Sequence, residues 1–217
     1  MSQSNAMGFE NPETFWDAKL AGDDYHFGRL PNEFLTQAET RLHKSSEILC
    51  VADGEGRNSA WLAQQGHRVT AFDISSVGVR KAQRLASELD VSVDYQQCRI
   101  EDWDWRDNRF DVVVAIFIQF TPPDTRRWLW QQIHQTLRPN GLLVLQGYSP
   151  AQLRYKTGGP SNVDHLYTEN LLHNELAAFT LLECVEYESV LNEGPGHNGQ
   201  SALVRAIAQK SLKLQSA

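Results

Sequence analysis

The stretch V51-A-D-G-E-G-R-N-S-A-W-L-A63 follows directly on the apolar run EILC (Glu47–Cys50). It reads as the end of a buried strand, a tight turn with Gly54 and Gly56 one residue apart, and the opening of a helix. Glycine at such a turn lets the backbone take a left-handed conformation and lets a ligand approach closely. The helix start behind it offers unpaired N–H groups.

The same rhythm runs outward from this turn. HRVTAFDI (67–74) is a strand, and SSVGVRKAQRLASELD (75–90) a helix capped by Ser75 or Ser76. VSVDYQQC (91–98) and FDVVVAIFIQF (110–120) are strands. PPDTRRWLWQQIHQTLRPNG (122–141) is a helix ending before Pro139 and Gly141, and LLVLQGYS (142–149) is a further strand. Upstream, a short helix starts at Pro12. YHFGRL (25–30) is loop, and a second helix begins at Pro31 with Phe34, Leu35, Ala38 and Leu42 on one face. Downstream, YTENLLHNELAA (167–178) is helical. FTLLECVEYESVLNE (179–193) and QSALVRAIAQK (200–210) form a hairpin through GPGHNG. Apolar strands alternating with helices predict an α/β, three-layer, Rossmann-like fold. Its sheet has seven strands, mostly parallel, with an antiparallel C-terminal β-hairpin. Residues 11–210 read as a single domain with a helical lid at 11–45. Residues 1–10, beginning MSQSNAMGF, read as a disordered start and partly an expression scar; 211–217 read as a tail.

The 217 residues carry a net charge of −7 and no basic stripe. That disfavours nucleic acid and an anionic membrane surface as partners. Cys50, Cys98 and Cys184 are scattered, with no metal-ligand spacing. Buried, unpaired thiols in a reducing, cytoplasmic setting are the expectation, with no metal. No apolar run is long enough to span a bilayer. Monomer or weak homodimer is the expected state.

The chemistry of the turn narrows what it holds. The next strand ends in Asp73, and an acid there suits the two hydroxyls of a ribose. A dinucleotide turn would have a third glycine where Ser59 stands. Asp53 and Glu55 would repel a pyrophosphate but attract a sulfonium or an α-ammonium. No G-K-[ST] follows, so a Walker loop is excluded. The acidic turn therefore points to S-adenosylmethionine, with S-adenosylhomocysteine as product.

ILCVADGEGRNSAWLAQQGHRVTAFDIS and FDVVVAIFIQFTPPDTRRWLWQQIHQTLRPNGLLVLQGYSP together resemble the cofactor half of class I S-adenosylmethionine-dependent methyltransferases. YHFGRLPNEFL, ADGEGRN, YKTGGP and NEGPGHNG are similar to the tellurite-resistance-type small-molecule subgroup. The resemblance implies that Ala52, Asp53, Gly54, Glu55 and Gly56, with Asn58, line the methionine part of the cofactor. It implies Asp73 on the ribose, Ile74 on the adenine, and Ile100, Glu101 and Asp102 at the adenine edge. Ala115, Ile116 and Phe117 would close the pocket beneath the sulfonium. Tyr25, Phe27, Gly28 and Asn32 would form the lid. The chain departs from the pattern at Cys50 and Arg99, where an acid is common, and at Ala52, where glycine is.

Four further positions stand out from the residues themselves. Gln119 is polar at the end of an apolar strand, and burial without a partner would be costly, so it is read as facing the site. Arg154 and Tyr155 lie on a long connection of the kind that carries substrate contacts. His197 sits in the hairpin turn and is the one candidate general base. No other base is evident, which favours a small acceptor that is a soft nucleophile, such as a thiol, a chalcogenide or a thiocyanate-like anion. The alternatives are a non-catalytic cofactor-binding protein of the same fold and an NAD-dependent oxidoreductase.

Overall fold

Between Glu47 and Tyr148 the apolar runs form five parallel strands, and the last two strands close the sheet antiparallel. The computed structural model describes residues 11–211; the readings made for 1–10 and 212–217 lie outside them. In chain order the elements are α1 (Pro12–Lys19), α2 (Glu33–Glu39), β1 (Glu47–Val51), α3 (Arg57–Gln64), β2 (Arg68–Asp73), α4 (Ser76–Glu88), β3 (Asp94–Gln97) and β4 (Phe110–Ile116). Then follow α5 (Pro123–Thr136), β5 (Leu137–Tyr148), α6 (Glu169–Glu175), β6 (Phe179–Asn192) and β7 (Asn198–Lys210). The sheet order is β3-β2-β1-β4-β5-β7-β6. Strand order reverses beside β1, which opens a crevice at the carboxyl ends of β1 and β4.

Both faces of the central strands are covered, as continuous apolar runs require. Leu49, Val51, Val113 and Ala115 face a core built with Leu129, Trp130 and Ile133 of α5. Ile48, Cys50, Val112 and Val114 face the opposite core, with Phe34 and Leu35 of α2 and Leu62 of α3. The edge strand β6 alternates instead, with Leu182 and Val190 outward and charged residues between them.

Several boundaries differ from the sequence reading. The second helix starts at Glu33, not Pro31, because the Asn32 side chain accepts from Leu35 N (3.0 Å) and so caps it. The helix α5 stops at Thr136, and the chain enters β5 directly at Leu137. The long connection after β5 holds two short 3-10 turns, Pro150–Arg154 and Val163–His165.

The N-terminal segment is fastened across the carboxyl ends of the strands. The Glu55 carboxylate, 2% exposed, takes the Lys81 ammonium at 2.5 Å and the backbone N–H groups of His26 and Phe27 at 3.1 Å. Lys81 also donates to the carbonyls of Leu20 and Asp24. Asp17 of α1 accepts from Ser75, Ser76 and the Val77 N–H, which ties α1 to the start of α4. Glu55 thereby joins segments about thirty residues apart in the chain.

The two turn glycines do different work. Gly56 has φ +87°, and a methyl group there would lie 2.5 Å from Ala82 Cβ. Gly54 has φ +62° with open space around it. Gly56→Ala should therefore cost about 2–4 kcal/mol through strain and overpacking, and Gly54→Ala only about 1 kcal/mol, read from urea unfolding midpoints. Equal losses would contradict the assignment. Glu55→Gln leaves Lys81 without its counter-charge. It should raise amide hydrogen exchange at His26 and Phe27 well above that of the central strands.

Candidate active site

A cavity of about 680 Å³ lies at the carboxyl ends of β1, β2 and β4. α1 roofs it, the turn between β6 and β7 closes one end, and the 158–165 connection closes another. Ala52 follows β1 directly, and its φ of +48° is the left-handed conformation that the side chain resists. Glycine would take this conformation without strain, which is the physical content of the departure at this position. Asp53 follows and accepts the Ser59 hydroxyl, which also meets the Tyr95 hydroxyl at 2.9 Å. Ser59, read as the missing third glycine, is thus a fully buried support for Asp53.

Asp73 at the end of β2 holds the turn directly. One oxygen accepts Gly54 N and the other Ser75 N, both at 2.8 Å. Burial pushes the Asp73 carboxyl up to about 6, against those two hydrogen bonds and with Asp17 and Glu55 adding to the rise. Burial and the charge of Asp73 push Asp53 up to about 7, against the Ser59 hydrogen bond. Two carboxylates on one wall, each reluctant to ionise, form a site that favours a cation.

The other end of the cavity is aromatic. Phe117, in the left-handed region at φ +58°, places its ring 4.2 Å from His197 and 4.8 Å from Tyr148. Phe27 lies 4.6 Å from His197. Gly158 and Gly159 lie flat against Tyr148, where an added methyl would fall 2.6 Å from the ring or its hydroxyl. This packing accounts for the YKTGGP stretch.

His197 is buried, not an exposed turn residue. Burial and the charge of Arg57 push its imidazole down to about 4, with Glu193 opposing. Its Nδ1 stands 3.8 Å from Glu193, beyond hydrogen-bond reach. Glu193 pairs with Arg57 at 2.7 Å and accepts from the Asn32 amide at 2.9 Å. Burial alone would raise Glu193; His197 and Arg57 outweigh it and bring the carboxyl to about 2.

The cavity gathers Ala52, Asp53, Gly54, Glu55, Asn58, Asp73, Ile74, Ile100, Glu101, Ile116 and Phe117, together with Phe27, Gln119 and His197. Two of these present no spare polar group. Glu55 is committed to Lys81 and the His26 and Phe27 amides, so it is a fastener and not a partner for a cation. Gln119 donates to the carbonyls of Tyr148 and His165 and accepts Tyr148 N.

Other expected residues lie off the wall. Gly56 packs on Ala82, and Ala115 is fully buried in the core. Asp102 points to solvent, while the departure at Arg99 is a rim ion pair with Glu101 (3.5 Å). Tyr25 lies beneath Arg29, Lys81 and Arg84. Gly28 abuts Gly194, and Asn32 bonds to Gln146 and Glu193. Arg154 is exposed and pairs with Glu188, with Tyr155 against its guanidinium. The sequence reading missed Trp16 and Lys19 of α1, Arg57, Tyr148 and His165 on the wall. Tyr148 carries a signal that could have found it, since it ends a parallel strand as Asp73 does.

Among the described residues no cluster of His, Cys, Asp or Glu is placed to hold a metal, and no helix is long and apolar enough to cross a membrane.

A sequence profile described as a methyltransferase domain matches residues 48–141. The ubiquinone biosynthesis O-methyltransferase of Rickettsia akari is 28% identical over 126 residues, 58% of this chain and 49% of that protein. The chain thus spans about half the length of that curated relative. Among solved structures, the protein studied in the conversion of a disulfide bond into a thioacetal group during echinomycin biosynthesis superposes with TM-score 0.77 at 16% identity, over 94% of this chain and 93% of that one. N-methyltransferase NodS from Bradyrhizobium japonicum, in complex with S-adenosylhomocysteine, superposes with TM-score 0.69 at 19% identity, over 93% and 99%. The profile match runs from β1 into β5 of the 3-2-1-4-5-7-6 sheet, so this part of the chain is similar to a methyltransferase domain, and the solved structures share its fold.

Proposed function

We propose that the chain binds S-adenosylmethionine and transfers its methyl group to a small-molecule acceptor. The observation that carries this reading is the Asp73 carboxylate locked onto the Gly54 turn, with Asp53 beside it in the same wall. Asp73 retains lone pairs for ribose hydroxyls, and Asp53 offers a negative partner for an ammonium or sulfonium. Both would repel a pyrophosphate. Ile74 and Ile100 give the adenine an apolar slot. When bound, the cofactor supplies an electrophilic methyl carbon. The walls hold the acceptor in line with it and exclude water, a positioning effect worth up to about 7–11 kcal/mol.

His197, neutral and held down to about 4, is a weak base. This favours an acceptor that is already anionic or sheds its proton readily: a thiolate, a chalcogenide or a thiocyanate-like anion. The subgroup resemblance gains support from the docking of NEGPGHNG onto YHFGR, where Gly196 N donates to His26 O at 2.8 Å. We read residues 11–210 as one catalytic unit, cytoplasmic and monomeric or weakly dimeric, with neither nucleic acid nor membrane as partner.

Calorimetric titration with S-adenosylhomocysteine, and with NAD as control, tests the cofactor assignment. The first should bind in the micromolar range and NAD should not; Asp73→Asn should weaken binding about tenfold or more. A folded protein that binds neither would sink the reading.

The same carboxylates predict a pH dependence. In the free protein their folded-state values lie above the ordinary 3.8, so the folded state keeps protons that the unfolded chain has released. Their contribution to stability is full at low pH and is lost as pH rises through about 6 to 7. A bound ammonium lowers both values and expels those protons. Affinity for S-adenosylhomocysteine should therefore rise between about pH 5 and pH 8, with proton release measurable in buffers of different ionisation enthalpy. A flat profile would place no cation near Asp53 and Asp73.

A further inference from the structure

Three buried polar atoms among the side chains lining the cavity have no hydrogen-bond partner among the described residues: Arg57 Nη1, Tyr148 Oη and His197 Nδ1. Native structures rarely leave such atoms unpaired. His197 Nδ1 faces Glu193 and has a nearby carboxylate to account for it. Arg57 Nη1 and Tyr148 Oη have no acceptor within reach among the described residues. Arg57 spends only Nη2 on Glu193, and its side chain is 6% exposed. Tyr148 is 1% exposed. Both are donors: the guanidinium stays charged, and burial raises the Tyr148 phenol so that it keeps its proton. They are close enough for the charge of Arg57 to act on Tyr148 and on His197.

The surroundings suit an anion with a flat carbon part. Phe27, Phe117 and His197 supply aromatic faces, and His197 carries no charge at neutral pH. Glu193, whose charge acts on Tyr148, is already paired with Arg57 and accepts from Asn32. Asp53 and Asp73 belong to the ends of β1 and β2. Tyr148 ends β5, three strand positions from β2 in the sheet, or about 14 Å across it. Tyr148 therefore lies on the acceptor side of the cavity, and the charge of Arg57 acts on Tyr148 as well as on Asp53.

We propose that Arg57 Nη1 and Tyr148 Oη form a subsite for an oxyanionic group, carboxylate-like, on the methyl acceptor. This rests on the methyltransferase reading above. The same chemistry could be met by the α-carboxylate of the cofactor, and the experiment separates the two sources.

Benzoate and its neutral counterpart benzamide are titrated by protein-observed NMR into the full chain saturated with S-adenosylhomocysteine. Wild type, Tyr148→Phe and Arg57→Gln are compared, and each variant's affinity for S-adenosylhomocysteine is measured alongside. Benzoate should bind about tenfold more tightly than benzamide, and Tyr148→Phe should lose about that factor with S-adenosylhomocysteine affinity unchanged. Tyr148→Phe removes a hydroxyl with no partner, so it should fold as wild type does and carry the test even if Arg57→Gln, which strips Glu193 of its ion pair, does not fold. Equal binding of the two probes, or benzoate binding untouched in Tyr148→Phe, overturns the subsite. Loss of S-adenosylhomocysteine affinity in the variants, with benzoate unaffected, assigns the donors to the cofactor and also overturns it. No S-adenosylhomocysteine binding by wild type overturns the methyltransferase reading itself.

Discussion

The Glu193 carboxylate holds the site together. It bonds to Arg57 from the start of α3 and Asn32 from the cap of α2, and faces the His197 imidazole of its own turn at 3.8 Å. These groups come from widely separated parts of the chain, and none could be buried alone without a large desolvation cost. A buried ion pair of this kind is not worth more than apolar packing of equal volume, yet breaking one is expensive. Its effect here is on geometry. It sets the distance between the glycine turn and the hairpin turn, and so the width of the cavity between them.

Glu55 acts in parallel on the other side, against Lys81 and two backbone amides. The two carboxylates close the N-terminal segment onto the sheet at two points. Between them the cavity is electrostatically divided. Asp53 and Asp73 make the β1 and β2 end acidic and hungry for a positive group. The β5 end is aromatic, with a neutral imidazole and the Tyr148 hydroxyl, and the charge of Arg57 acts on both ends. A ligand with cationic and nucleoside parts suits the first end, and an anionic acceptor suits the second. Charge alone would then orient the two reactants relative to each other.

The sheet was legible because its signals are local. Apolar runs, the Ser75 cap and the acid-ended β2 each speak within a few residues, and so did the turn at Gly54 and Gly56. The roles of individual charges were not legible in the same way. Glu55 looked like a partner for a cation, but Lys81, a helix away in sequence, had already claimed it. Tyr25, Gly28 and Asn32 belong to the segment expected over the site, yet they face α4, Gly194 and Glu193 and not the cavity. Arg154 and Tyr155 sit on a connection that does reach the site, but its glycines and His165 reach the wall and they do not. Arg57 and Tyr148 were overlooked because their importance lies in hydrogen bonds left unmade. That property exists only once the neighbours are in place.

The Asn32–Glu193 contact spans 161 residues of chain. During synthesis, β1, α3 and β2 leave the ribosome long before Glu193 does, and their glycine turn is held by local hydrogen bonds from Asp73. The residues of the acidic half of the pocket are therefore synthesised before those of the hairpin turn that bounds the aromatic half. Closing the longest loop comes last, when β7 slots between β5 and β6 and carries the 193–197 turn over Arg57. Until that step Arg57 and Asn58 stand open to solvent at the mouth of a half-built crevice. A polypeptide stalled or cleaved ahead of Glu193 would keep most of its nucleoside-facing wall and lack the wall that defines the acceptor.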